Sequence, residues 1–339
     1  MITLINPQGL KTFSGLQMHT PNPPLGLAYI AATLKAEGYA YRVIDATGEA
    51  LDVVRPYPHR DDFMVQGLSN EEVVERMPAT TDVVGVGCMF STLWPLTARL
   101  AETVRRRFPH ALMVLGGEHG TAVPEHVLAV SPFDVVVLGE GEETFVELLR
   151  ARAAGRPLTE VKGLAYREGT RVVKTGLAPR RKDVDAIPRP DWDSFPIEAY
   201  IARHQINGIN LGRAMPLLGT RGCPFQCTFC SNPGMWTQRW IARDPKLLAD
   251  EMALYKEKYR VSNFDFQDLT AIVKREWIVA FCRELITRDL RVTWQMPSGR
   301  GPRSSTRRWP TCSIARAAGP WPLLPRAAPR RSSRSSRSR

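Results

Sequence analysis

The chain has 339 residues, 43% of them hydrophobic, which suits a soluble globular protein with two domains of ordinary size. Its net charge of +12 arises in residues 300–339, which hold eleven arginines and no acidic residue; the near-neutral remainder argues against a nucleic-acid-binding protein. The sequence has no apolar run long enough for a membrane-spanning helix and no signal-peptide pattern, and its three clustered and three scattered cysteines favour a reducing cytoplasm.

The first 150 residues alternate between apolar strands and amphipathic helices. The strands read MITLIN, YRVIDA, DVVGVGC, ALMVLGG and DVVVLGE. This alternation predicts an α/β domain, a doubly wound, Rossmann-like parallel sheet spanning residues 1–150. Ligands of such sheets bind at the carboxyl ends of the strands, so the loops there are candidate binding segments. Neither a G-x-G-x-x-G motif nor a P-loop is present, which argues against a dinucleotide or a nucleoside triphosphate.

Residues 151–214 read as a connector that contains a hairpin, LAYREGTRVVKT, and a proline-rich segment, IPRPDWDSFP. Strand and helix patterns then alternate again, which predicts an incomplete β/α barrel over residues 215–299. In residues 300–339, Arg, Ser, Pro and Ala fill 30 of 40 positions. We expect this tail to be the product of a frameshift that truncates the barrel; the alternative is a disordered basic arm that binds nucleic acid or an anionic surface.

Three cysteines stand close together at the start of the predicted barrel. Cys223, Cys227 and Cys230 follow a short apolar strand, with Gly222 permitting the turn into the loop. A structural zinc site needs four ligands, and no nearby Cys or His completes one. A [4Fe–4S] cluster held by three thiolates keeps one iron open for another ligand. The spacing therefore favours an iron–sulfur cluster, and the alternative is three buried thiols that act as small hydrophobic residues.

The stretch LLGTRGCPFQCTFCSNPG resembles the signature of the radical S-adenosylmethionine (SAM) enzymes, Cys-x3-Cys-x-aromatic-Cys, with Phe229 as the aromatic residue. The resemblance implies that SAM chelates the open iron and is cleaved to a 5′-deoxyadenosyl radical, with Phe229 beside the adenine. It also implies a partial barrel and an electron donor such as flavodoxin or ferredoxin. The segment FDFQDLT resembles the family's second strand, which would turn Asp265, Gln267 and Asp268 towards SAM or substrate. The alternative for that segment is a solvated strand end.

The amino-terminal half resembles the cobalamin-binding domain that precedes the radical SAM barrel in one subgroup of that family. The similarity lies in NPPLGLAYIAATLKAEGY, GGEHGTAVPEHVL and LGEGEETFVELL. It implies cobalamin contacts at Asn6, Pro7, Ser91, Thr92, Gly116, Gly117, Glu118, His119, Gly139, Glu140, Gly141 and Glu142. The Asp-x-His-x-x-Gly motif that supplies a cobalt ligand elsewhere is absent, which leaves His119 as the nearest candidate or as an ordinary hydrogen-bonding residue. Glu140 and Glu142 would accept hydrogen bonds from cobalamin, or would be helix N-terminal carboxylates.

Together these resemblances imply a cytoplasmic, cobalamin-dependent radical SAM enzyme that transfers a methyl group to an unactivated carbon or phosphorus centre of a small-molecule substrate. Three alternatives remain open. The first is a cyclase or rearrangement enzyme that uses cobalamin without methyl transfer. The second is an inactive, truncated cobalamin-binding module. The third is a basic nucleic-acid-binding protein, which the neutral body of the chain disfavours.

Overall fold

The computed structural model describes residues 1–12, 21–58 and 60–297, so the predicted tail and the last residues of the predicted barrel lie outside the described residues. In chain order its strands are β1 (Ile2–Asn6), β2 (Gly9–Thr12), β3 (Tyr41–Asp45), β4 (Val54–Pro56), β5 (Phe63–Gln66), β6 (Val83–Gly87), β7 (Leu112–Gly116), β8 (Val135–Val137), β9 (Leu164–Glu168), β10 (Arg171–Lys174), β11 (Ala214–Leu217), β12 (Thr220–Arg221), β13 (Ile241–Ala242), β14 (Asn263–Phe266) and β15 (Thr293–Gln295). Its α-helices are α1 (Leu25–Ala36), α2 (Asn70–Glu75), α3 (Trp94–Arg107), α4 (Glu118–Ala122), α5 (Pro124–Val130), α6 (Gly141–Ala153), α7 (Ile197–Ala202), α8 (Asn232–Trp236), α9 (Pro245–Tyr259) and α10 (Arg275–Thr287). None of these helices is both long and apolar enough to cross a membrane.

The largest sheet has seven strands in the order β10-β9-β8-β7-β6-β1-β3. Five neighbouring strands of this sheet run parallel, namely β3, β1, β6, β7 and β8. This arrangement confirms the predicted doubly wound sheet. The predicted hairpin forms β9 and β10, and β9 pairs antiparallel with β8, so the hairpin extends this same sheet. The strand order reverses between β1 and β6, and the crevice at such a reversal is where open parallel sheets bind ligands.

Side chains of successive strand residues point to opposite faces of this sheet, and each face has its own helices. Leu4 packs in one hydrophobic cluster with Phe145 of α6, whereas Ile5 packs in another with Leu100 of α3. Helices therefore cover both faces and leave the carboxyl edge of the sheet for binding.

The second half of the chain contains a three-stranded parallel sheet in the order β11-β14-β15. Helix α9 connects the first two of these strands and α10 connects the last two, as the sequence predicts for the start of a β/α barrel. Asp244 caps α9, because its side chain accepts a hydrogen bond from the backbone N–H of Lys246 at 2.7 Å. The aromatic rings of Phe266 and Phe281 meet edge to face on the helix side of this sheet.

The segment between β3 and β6 contains a short α-helix and two short strands. Its helix is α2, where Ser69 and Glu72 form a capping box. Strands β4 and β5 also form in this segment and join β2 in a small antiparallel sheet.

Candidate functional site

The cysteine loop, residues 222–231, connects β12 to α8. Cys223 is half-buried, with its Sγ atom 3.1 Å from Oγ1 of Thr270, whereas Cys227 and Cys230 are exposed. The backbone N–H of Cys230 donates to the carbonyl of Cys227 at 3.0 Å, and none of the three thiols forms a disulfide. Over the described ranges, no group of three His, Cys, Asp or Glu side chains surrounds a position for one metal ion. Three thiols on one loop nevertheless suit an iron–sulfur cluster, in which each thiolate binds a different iron.

The start of the cysteine loop is held by two features. Gly222 has φ +83°, and a Cβ atom there would overlap the carbonyl oxygen of Arg239. Asp268 is buried and accepts hydrogen bonds from the backbone N–H of Gly219 at 3.0 Å and from Oγ1 of Thr220 at 2.6 Å. Burial raises the pKa of Asp268 to about 6, although these hydrogen bonds favour its charged form. The sequence predicts that Asp268 contacts SAM, but in the structure both of its carboxylate oxygens bind the segment before the cysteines.

The other predicted SAM contacts are Phe229, within this loop, and Gln267, directly after β14. Phe229 is 91% exposed. Gln267 is half-buried, and its Nε2 donates to Oδ2 of Asp265 at 3.0 Å while its Oε1 accepts from Nδ2 of Asn207 at 3.0 Å. Burial raises the pKa of Asp265 to about 6, and its Oδ1 has no hydrogen-bond partner among the described residues. Asp265 and Gln267 are therefore tied to the connector, a contact that the sequence does not reveal.

At the carboxyl edge of the large sheet, Asn6 ends β1 beside the point where the strand order reverses, and Pro7 follows it. Asn6 is half-buried, and its Nδ2 donates to Oδ1 of Asp45 at 2.7 Å. Asp45 is fully buried and also accepts from the hydroxyl of Tyr200 at 2.9 Å. Burial raises the pKa of Asp45 to about 6. This network fixes the orientation of Asn6 at the edge.

The loop after β6 opens to solvent. Ser91 and Thr92 are exposed, as are the apolar side chains of Met89 and Phe90. An exposed apolar pair at a ligand-binding edge is consistent with a face that a large ligand covers.

His119 is buried, so it differs from its neighbours at this edge. Its Nδ1 is 2.9 Å from Oγ of Ser91, and its ring lies 4.8 Å from the ring of Trp94. Nε2 is also buried and has no hydrogen-bond partner among the described residues. Burial, with a smaller contribution from His126, lowers the pKa of His119 and favours the neutral ring. This environment suits a packing residue better than a cobalt ligand.

The loop after β7 approaches the loop after β6 closely. Gly117 has φ +104°, and a Cβ atom there would lie 2.5 Å from the carbonyl oxygen of Cys88. Gly116 faces open space, since a Cβ atom there would have no neighbour within 4 Å. Glu118, at the start of α4, is half-buried. The glycines thus keep the edge open and the loops close together.

The loop after β8 carries Glu140 and Glu142, and the structure pairs both with arginines. Arg221 donates to Glu140 at 3.1 Å and to Glu142 at 2.6 Å, and Nε of Arg180 lies 3.2 Å from Glu140. Burial disfavours the charged form of Glu142. The positive charge of Arg221 outweighs this effect and holds the pKa of Glu142 below its usual value. The sequence predicts that these carboxylates face cobalamin or only a helix N-terminus. Their pairing with Arg180 and Arg221 is not visible in the sequence, although Arg221 directly precedes Gly222.

Helix α8, which follows the cysteine loop, also contacts the segment after β8. Oγ1 of Thr121 accepts from the backbone N–H of Gly139 at 3.0 Å and lies 3.4 Å from the sulfur of Met235 in α8. A Cβ atom on Gly139 would lie 3.3 Å from the carbonyl oxygen of Met235. Gly141 begins α6 beside this contact. The predicted cluster loop and part of the predicted cobalamin edge are therefore direct neighbours.

Residues 15–149 match the family model of the B12-binding domain. Over 280 residues the chain is 33% identical to the anaerobic magnesium-protoporphyrin IX monomethyl ester cyclase of Cereibacter sphaeroides, a match that covers 80% of this chain and 42% of that protein. Over 269 residues it is 29% identical to the cytidylyl-2-hydroxyethylphosphonate methyltransferase of Streptomyces wedmorensis, with 72% of this chain and 50% of that protein covered. The chain thus spans about half the length of these curated relatives, or less.

The fold is similar to that of OxsB, a cobalamin-dependent S-adenosylmethionine radical enzyme whose structure contains aqua-cobalamin and S-adenosylmethionine. The TM-score is 0.65 at 18% identity, and the match covers 86% of this chain and 38% of that chain. Likeness at this identity shows a shared fold, and it confirms the expected fold class. The residue-level contacts and the boundaries between the predicted domains stay predictions.

Proposed function

We propose that this chain is a radical SAM enzyme with a cobalamin-binding domain, and that it transfers a methyl group to an unactivated carbon or phosphorus centre. When bound, an iron–sulfur cluster would supply the electron that cleaves SAM to a 5′-deoxyadenosyl radical, and cobalamin would carry the methyl group. The remaining steps depend on how the protein positions these groups.

One observation carries the proposal: the segments on both sides of the cysteine loop contact the carboxyl edge of the B12-binding sheet. Arg221, next to the loop, pairs with Glu140 and Glu142 on that edge, and Met235, just after the loop, contacts Thr121. A methyl carrier and a radical source must both reach one substrate, so their seats have to be adjacent. This arrangement supports a substrate bound between the two centres.

Individual residues have distinct roles in this proposal. Cys223, Cys227 and Cys230 would hold the cluster, and Gly222 with Asp268 would fix the start of their loop. The exposed ring of Phe229 would cover the adenine of SAM, and Gln267 would face SAM or substrate from the strand end. The exposed positions of Cys227 and Cys230 would let an electron donor such as flavodoxin or ferredoxin approach the loop.

Cobalamin would lie at the carboxyl edge of the large sheet. Asn6, Ser91 and Thr92 offer polar groups there, and Gly116 leaves space for close approach. The exposed Met89 and Phe90 offer apolar surface that a corrin ring can bury. In this proposal His119 packs beneath the edge and Glu140 and Glu142 act through Arg221.

A cyclase reaction without methyl transfer is the second candidate. Its support is the 33% identity to a protein named as a cyclase over 80% of this chain. Both candidates require SAM cleavage at the cysteine loop, so they differ only in the steps after that cleavage.

The test is anaerobic incubation of the reconstituted, reduced protein with SAM and cob(I)alamin. We expect 5′-deoxyadenosine from SAM cleavage and S-adenosylhomocysteine from methylation of cobalamin. Cys223→Ala should abolish the first product, whereas the matched control Cys282→Ala, in α10, should retain it. Formation of 5′-deoxyadenosine without S-adenosylhomocysteine would favour the cyclase reaction. Formation of neither product would contradict the proposal.

A further inference from the structure

Arg221 is the buried centre of an ion-pair cluster between the cysteine loop and the B12-binding domain. Its side chain is 4% exposed, and its two guanidinium nitrogens each bind a different carboxylate, Glu140 and Glu142, which are 14% and 11% exposed. Only arginine presents such a planar fork of donors. The two carboxylates lie at the amino end of α6, where the helix dipole also favours negative charge.

A second arginine and two aromatic rings enclose this cluster. Arg180 pairs with Glu140 and also donates to the carbonyls of Trp236 and Arg239, on the far side of the cysteine loop. The guanidinium of Arg221 lies 5.1 Å from the ring centre of Tyr29 and 5.6 Å from that of Trp236. The cluster thus contacts the segments on both sides of the three cysteines.

The two residues of β12 are held from opposite sides. Successive strand residues point to opposite faces, and here Thr220 binds Asp268 of the barrel while Arg221 binds the B12-binding domain. Arg221 is two residues from Cys223, so a shift of its backbone moves the first cysteine of the loop.

Stability alone does not account for this arrangement. Buried ion pairs carry a desolvation cost that often equals their attraction, and apolar residues of similar volume can replace them without loss. What a buried, multiply bonded arginine does provide is one defined geometry between the elements it joins.

We infer that Arg221 is a positioning residue that fixes the cysteine loop relative to the carboxyl edge of the B12-binding sheet, so that the seats of cluster and cobalamin keep one relative position. The inference rests on the proposed function. Glu140 and Glu142 then anchor Arg221, so the two domains move together at this point.

The test uses the full chain reconstituted anaerobically with iron, sulfide and hydroxocobalamin, and compares wild type with Arg221→Lys. Lysine keeps the charge but cannot bind two carboxylates as a fork. We expect release of iron to a chelator to become about tenfold faster, as for other supporting residues of metal sites. We also expect the magnetic interaction between the reduced cluster and cob(II)alamin, measured by electron paramagnetic resonance, to become weaker and more heterogeneous.

The matched control is Arg213→Lys, just before β11, which alters a partly exposed pair with Glu198 and a hydrogen bond to the carbonyl of Tyr259. It should leave both signals unchanged. Hydrogen–deuterium exchange on the unloaded protein adds a readout that needs no cofactor: Arg221→Lys should speed exchange in residues 138–143 and 219–230 together. If Arg221→Lys does not fold, Glu142→Gln replaces it in the same measurements.

The outcomes separate the two proposals. A wild-type protein that binds neither iron nor cobalamin overturns the proposed function. A wild-type protein that binds both, with Arg221→Lys or Glu142→Gln indistinguishable from Arg213→Lys in iron release, magnetic interaction and exchange, overturns this inference alone.

Discussion

Gly222→Ala adds a single Cβ atom at the start of the cysteine loop. Gly222 has φ +83°, a backbone conformation that costs a residue with a side chain about 1–2 kcal/mol. The added Cβ would also overlap the carbonyl of Arg239 and lie 2.8 Å from Nη1 of Arg180. A backbone carbonyl cannot rotate away, so the loop has to move, and overpacking of this kind costs on the order of 1–3 kcal/mol more.

The matched control is Gly38→Ala, after the last turn of α1. Gly38 has φ +76°, and a Cβ atom there meets nothing within 4 Å. It therefore carries the conformational cost of about 1–2 kcal/mol without the overlap.

The assay is urea denaturation of the unloaded variants, followed by iron analysis after reconstitution. We expect Gly222→Ala to lower the free energy of unfolding by on the order of 1–3 kcal/mol more than Gly38→Ala. We also expect it to lose iron, because Cys223 moves with the loop. Equal destabilisation by the two variants, with equal iron content, would refute this reasoning.

Three further predictions concern buried polar groups. Burial raises the pKa of Asp265 to about 6, above its value in the unfolded chain, so the protonated form stabilises the fold and this contribution is lost between about pH 4 and pH 6; Asp265→Asn should flatten the fall in melting temperature over that range, and an unchanged slope would contradict this. Thr220→Val leaves Asp268 without a hydroxyl donor and should cost about 1–3 kcal/mol in chemical denaturation, more than Thr103→Val, whose hydroxyl donates to a helix carbonyl and accepts from the exposed Arg106. His119→Gln should leave the electron paramagnetic resonance spectrum of bound cob(II)alamin unchanged, because the ring is buried; loss of a nitrogen splitting would show that His119 ligates cobalt.

The alternation of apolar strands and helices was enough to predict the large sheet, because each parallel strand is buried on both faces. The small sheet of β2, β4 and β5 was not predictable in this way. Its strands are short and largely half-exposed, and β4 ends in a proline, so no period of two is visible. The hairpin of β9 and β10 was predicted from local pattern, but its position beside β8 depends on long-range pairing.

The candidate site divides in the same way. The cysteine spacing is local and visible in the sequence, whereas the pairing of Arg221 with Glu140 joins residues about 80 positions apart. Opposite charges in two loops do not indicate that they meet. The burial of His119 beside Trp94 is likewise invisible in GGEHGT, because it depends on how α3 packs under the loop.

The proposed function requires that one chain hold an iron–sulfur cluster and cobalamin side by side. Anaerobic purification with iron, sulfide, zinc and cobalamin quantified tests it most directly, in wild type, Cys227→Ala and the control Cys282→Ala. We expect about four irons per chain together with bound cobalamin, with the iron lost only in Cys227→Ala. Tightly bound zinc without iron, iron retained in Cys227→Ala, or no retained cobalamin would contradict it.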